Sequence, residues 1–177
     1  ADRWVEVRPG TLESLLAVAR ARAEVIVDTG FSLEEEPLPN AGRPGRNQLT
    51  TEAIDVADDV LVIGRPDPVG LSRLARGLVE VGERRPGRPV QVVVNRMRST
   101  LGWSEREVVA MISDFARPSS VHFLPDDQAA VDRAAVAGRS LGEGGDCALS
   151  RAVARIVDGL LPPVRLAGRR SSRRAAR

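Results

Sequence analysis

Apolar positions along the chain follow two different periods. Four short runs rich in Val and Ile, at 24–28 (EVIVD), 59–64 (DVLVIG), 90–95 (VQVVVN) and 120–124 (SVHFL), are nearly continuous in apolar character. Runs of that length and composition suit strands buried on both faces, and they predict four of them. The intervening stretches repeat every three to four residues. In TLESLLAVARARA, Leu12, Leu15, Leu16 and Ala19 share a face and Thr11 is placed to cap the helix. PVGLSRLARGLVEVGE starts with Pro68 in its first turn and carries Leu71, Leu74, Leu78 and Val81 at helical spacing. In SEREVVAMISDFA, Ser104 and Glu107 form the signature of a capping box. DQAAVDRAAVAG and ALSRAVARIVDGLL complete the helices, the last closed by Pro162 and Pro163.

Strands that alternate with helices of this length predict an α/β fold, a mainly parallel, doubly wound sheet with helices on both faces. Segments 31–46 and 83–89 are polar and rich in Pro and Gly, and read as loops. In open sheets of this kind ligands gather at the carboxyl ends of the strands. Asp28, the stretch from Arg65 to Asp67, Asn95 and the stretch from Pro125 to Asp127 all follow directly on predicted strands, so they are expected to converge on one rim.

Composition narrows the chemistry. The chain has 177 residues, the length of one domain, with 42% hydrophobic and 28% charged residues. No apolar run approaches the ~20 residues of a membrane-spanning helix. All 26 basic residues are Arg, which removes Schiff-base chemistry, a lysine general base and a phosphate-gripping lysine. With one His (His122) and one Cys (Cys147), neither a histidine-rich zinc site nor a disulfide can be assembled within the chain. His122 is expected in the core or at its rim, and Cys147 as a small filler that fits a reducing compartment. The last nine residues, RRSSRRAAR, hold five Arg. Residues 168–177 are accordingly expected to be a disordered basic tail on a folded part spanning 1–167, with contact to nucleic acid or anionic lipid as the minority reading.

Two strand ends carry candidate chemistry. Asp28 follows VIV and precedes Thr29 and Gly30, an arrangement suited to a carboxylate that holds Mg²⁺ through water beside a terminal phosphate. Asn95 closes its run ahead of Arg96, Met97 and Arg98, and its amide can pair with the N6 and N7 edge of adenine. A capping or turn role is the alternative at both positions.

The segment FLPDDQAAVDRAAVAGRSLGEGGDCALSRAVARI, taken with VIVDTG, TTEAIDVADDVLVIGRPDPVGLSRL and VVVNRM, resembles the C-terminal half of the MinD/ParA family of deviant-Walker P-loop ATPases. Within that family it is similar to septum-site-determining and TadZ-like pilus-assembly positioning proteins. The resemblance runs over about residues 10–162. It implies that Asp28 is the catalytic, magnesium-related Walker B aspartate, that Asn95 and Arg96 contact the nucleotide base, and that Pro125, Asp126 and Asp127 form the loop against the adenine. It also implies ATP and Mg²⁺ as cofactors, a homodimer in the ATP state and an unidentified positioning partner. The expected place is the cytoplasm, with peripheral contact to the inner face of the membrane as an option. The machine positioned would be a division septum, a pilus apparatus or partitioning DNA.

Three features depart from the family. Only 27 residues precede Asp28, and no glycine-rich Walker A loop occurs. The loop after Asp28 carries Glu34, Glu35 and Glu36, which would repel a phosphate that they faced. The family's sheet also has its P-loop strand between the Walker B strand and the strand at 59–64. The chain is therefore expected to be part of a longer protein, inactive alone, whose sheet lacks its central strand. The competing expectation is a degenerate, non-hydrolysing scaffold of the same fold.

Overall fold

A computed structural model describes residues 7–34 and 45–161. The chain divides into two compact units, Ala1–Asp126 and Asp127–Arg177. Expectations for Glu35, Glu36, Pro162, Pro163 and the basic tail lie outside the described residues.

The first unit is built on three parallel strands in sequential order, β1 (Leu61–Gly64), β2 (Gln91–Met97) and β3 (Ser120–Pro125). Leu61 lies opposite Gln91, and Gln91 opposite Ser120, so the strands start level. Val92, Val93 and Val94 of the central strand are all at most 2% exposed. Three consecutive buried positions mean that both faces of β2 are covered, as the unbroken apolar run predicts. On one face, Val92 and Val94 meet Leu74 and Leu78 of helix α3 (Pro68–Arg84) and Val108 and Ile112 of α4 (Glu105–Ser113). Both crossover helices thus lie on the same face, and the strand order does not reverse within these three strands.

Local signals set the helix starts. Pro68 stands at the head of α3, where its missing N–H costs nothing, and Asp67 caps the helix by accepting from the Gly70 N–H at 2.9 Å. The expected capping box is present at α4. The Glu107 carboxylate accepts from the Ser104 N–H at 2.6 Å, and the Ser104 hydroxyl accepts from the Glu107 N–H at 3.4 Å. Helix α1 (Thr11–Arg20) departs from expectation: Gly10, with φ of 77°, holds the cap position, and Thr11 is the first helical residue. A further helix, α2 (Gln48–Val56), was not expected from the sequence and buries Thr51, Ala53 and Ile54.

The larger correction concerns the first expected strand. Residues 24–28 are not part of the sheet, which has three strands rather than four among the described residues. Ile26 is 95% exposed and Phe31 fully so. The physical reason is pairing: β1 is bonded on one side by β2 alone, and nothing among the described residues hydrogen-bonds the 24–28 run into a ladder. A strand-forming composition without a neighbour stays out of the sheet and exposed.

The second unit contains α5 (Gln128–Val136) and α6 (Ala148–Leu160). Asp127 caps α5 by accepting from the Ala130 N–H at 3.2 Å. Cys147, expected as filler, is a half-buried cap of α6 whose Sγ accepts from the Ser150 N–H at 3.3 Å. No helix among the described residues is long and apolar enough to cross a membrane.

Candidate functional site

The carboxyl ends of β1, β2 and β3 lie side by side in the first unit, because parallel strands in register finish together. Each end carries polar residues. After β1, Arg65, Pro66 and Asp67 turn directly into α3. Arg65 Nε lies 3.1 Å from the Asp67 carboxylate, and the turn is so tight that a Cβ on Gly70 would come within 2.5 Å of the Arg65 carbonyl oxygen. Glycine is required there by space alone. The Gly70 N–H, with help from Arg65 and against some burial, holds the Asp67 carboxyl below the usual aspartate range. Trp103 closes the turn from the other side by donating its indole N–H to the buried Pro66 carbonyl at 2.9 Å.

The end of β2 is irregular. Its register against β3 shifts between Val94 and Met97, and Arg96 has φ of 64°, the only positive φ outside glycine among the described residues. A non-glycine residue there sits in strained backbone, and bulges of this kind re-aim side chains at strand ends. Asn95 supports the kink by accepting the Arg96 N–H on its own Oδ1 at 2.8 Å. The strand resumes so that the Asp126 N–H bonds the Met97 carbonyl at 2.9 Å, and Arg98 reaches the Asp126 carboxylate at 3.8 Å.

Of the expected site residues, the structure brings Asn95, Arg96, Pro125 and Asp126 to one rim, joined by Arg65, Asp67 and Arg98. Asp127 follows Asp126 but is the first residue of the second unit and serves as a helix cap. Asp28 is not held by this sheet. It is exposed on the unpaired segment and makes no hydrogen bond or ion pair with the described residues. Asn95 lies within β2, two residues before its end, rather than closing the strand. Its amide oxygen is engaged locally and its amino group bonds no described residue.

Arg65 pairs with Asp67 and Arg98 reaches Asp126, so of the three rim arginines Arg96 alone has no carboxylate partner among the described residues, and the Asp67 carboxylate already occupies the N-terminus of α3. The rim therefore has one unmatched positive charge for an anionic group. It offers no nucleophile with an adjacent base: the lone His122 lies toward the opposite end of β3, where its Nε2 meets Ser120 Oγ at 2.9 Å and Gln91 Oε1 at 3.1 Å. Among the described residues no three His, Cys, Asp or Glu side chains group closely enough to hold a metal.

Sequence reasoning missed Trp103 and Gly70. Trp103 carried a faint signal, an indole that needs a hydrogen-bond partner once it packs. Compared with protein-family models, with curated proteins and with solved structures, the chain matches none.

Proposed function

We propose that the chain is the C-terminal part of a MinD/ParA-like nucleotide-switch ATPase that positions a cellular machine. One observation carries the reading. The apolar run ending in Asp28 has no ladder partner and leaves Ile26 95% exposed, while β1 is paired on one side only. A single further strand between the two would satisfy both edges and cover the apolar run, the arrangement that the family resemblance implies. Asp28 would then stand at the carboxyl end of a sheet strand, level with the rim that carries Asn95 and Arg96. The fold would become the doubly wound P-loop type, with the phosphate cradle supplied from outside these residues.

In that reading Mg²⁺ would supply charge neutralisation at the reacting phosphate. Asp28 would orient its bound water. The Asn95 amino group and Arg96 would face the base, and Pro125 and Asp126 would border it. ATP-dependent pairing of two copies, peripheral to the inner membrane face in the cytoplasm, would be the readout to a positioning partner. A scaffold that never hydrolyses ATP is the second reading. It is favoured by the Asn95 oxygen already being engaged and by the isolation of Asp28.

Steady-state kinetics on the protein that carries this chain with its upstream sequence separates the two. Asp28→Ala should abolish hydrolysis, because the lost carboxylate acts at the reacting group. Asn95→Ala should raise KM with little change in kcat, because a base contact acts alike in ground and transition states. A parent protein without hydrolysis leaves the scaffold.

A further inference from the structure

Asn47 occupies the cap position of α2 without capping it. Its φ of −103° and ψ of 7° set it at the head of the helix, yet its side chain makes no cap bond. Asparagine is among the best capping residues, because its side-chain oxygen can accept an N–H that the helix leaves unpaired. The side chain turns to another segment instead. Asn47 Nδ2 donates to Ser32 Oγ at 3.1 Å and to the Glu34 carbonyl at 2.9 Å, and its Oδ1 accepts nothing from the described residues.

The segment so held is the one that carries Asp28. Gly30 comes against α2 as well: a Cβ on it would lie 3.3 Å from Thr50 Oγ1, closer than an ordinary contact. At the other flank, Arg20 at the end of α1 donates to the Val56 carbonyl at 3.3 Å and pairs with Asp58 just beyond α2. Residues 21–31 are therefore anchored at α2 on both sides, although no ladder holds them. The two anchors differ in kind. The Arg20–Asp58 pair is exposed, so salt screens it and it contributes little. The Asn47 bonds are neutral, and the one to Ser32 is partly buried.

We propose that Asn47 is a positioning residue, which forgoes the cap of α2 to fix the Asp28 segment against that helix. Fixing Ser32 and Glu34 shortens the free chain around Asp28 and so narrows the positions its carboxylate can reach. The consequence for turnover rests on the nucleotide reading above, whereas the tie itself does not. Under that reading a carboxylate already in place acts on the reacting group without reorganising first.

Asn47→Asp separates capping from tying. An aspartate keeps the size of the side chain and caps a helix as well as asparagine, but has no hydrogen to give the Glu34 carbonyl. Nitrogen-15 relaxation on the 177-residue chain reads the tie. Backbone order parameters at 32–34 are expected near the ~0.85 of rigid backbone and above those at 24–28, and should fall below ~0.6 in Asn47→Asp, while the new cap keeps the melting temperature from falling. Steady-state hydrolysis by the protein that carries this chain with its upstream sequence reads the consequence. There Asn47→Asp should lower kcat about tenfold and leave KM for ATP within about twofold. Order parameters at 32–34 that are low in the parent, or equal in parent and variant, would overturn the proposal, as would lowered order with kcat intact. A parent that hydrolyses no ATP sinks the nucleotide reading instead, and the relaxation data still decide whether Asn47 holds the segment.

Discussion

Single residues at the rim hold their geometry by short-range devices that can be tested one at a time. Arg96 adopts a positive φ that L-residues with a Cβ reach at a cost of about 1–2 kcal/mol. Arg96→Gly relieves that cost and is expected to raise stability by up to about 1 kcal/mol, after the added chain entropy of glycine in the unfolded state. A urea midpoint that falls would show that the arginine side chain contributes more than its backbone costs. Asp67 gives a pH prediction of definite sign. Its carboxyl is held below the usual aspartate range chiefly by the Gly70 N–H. It therefore contributes stability that is complete above the ordinary aspartate range and is lost as pH falls through the lower folded value. In Asp67→Asn that part of the acid limb should vanish, and a stability–pH curve parallel to the parent's below pH ~4 would contradict it.

At the scale of elements, local pattern proved a good guide to what an element is and a poor one to what it touches. Strand β2 was legible because three consecutive valines admit only a doubly covered strand. Helix α3 was legible from Pro68 and its leucine spacing, and the Ser104–Glu107 box from chemistry confined to one turn. Helix α2 was missed because Thr50, Thr51, Ile54 and Val56 are β-branched and speak weakly for helix, while the burial of Ala53 and Ile54 that fixes it comes from tertiary contact. The 24–28 run shows the opposite failure. Its composition reads as a buried strand, yet burial needs a neighbour and none is present among the described residues. At the site, the grouping of Arg65 to Asp67, Asn95, Pro125 and Asp126 followed from strand ends alone, whereas Asp28, expected with them, is outside the sheet and Asp127 belongs to the second unit; the bulge at Arg96 and the Trp103 contact depend on packing that no short window reveals. Likewise Arg85 sat in a stretch read as a polar loop and is among the most buried residues. Two substitutions express the contrast. Leu78→Ala, 4% exposed in the α3–β2–α4 core, should cost about 3 kcal/mol. Ile26→Ala should stay within about 0.5 kcal/mol of the parent in this chain. Hydrogen exchange should agree, with amides at 24–28 exchanging freely and those of Val92 to Val94 protected. Strong protection at 24–28 would mean that the run is paired after all.

For the molecule as a whole, the first unit has a three-stranded parallel sheet whose rim carries one unmatched arginine, an apolar segment at 24–28 that belongs to no sheet, and neither a phosphate cradle nor a metal cluster among the described residues. The nucleotide reading accounts for all of these together by assigning the missing pieces to sequence outside this chain. That is the central claim, and Mg-ATP affinity measured by calorimetry on two proteins tests it most directly: the chain alone, and the chain joined to its natural upstream sequence. The claim predicts no better than weak binding to the first, because the phosphate contacts of a glycine-rich loop are missing from it, and saturable micromolar binding to the second. Equal affinity in the two, whether both tight or both absent, would contradict it.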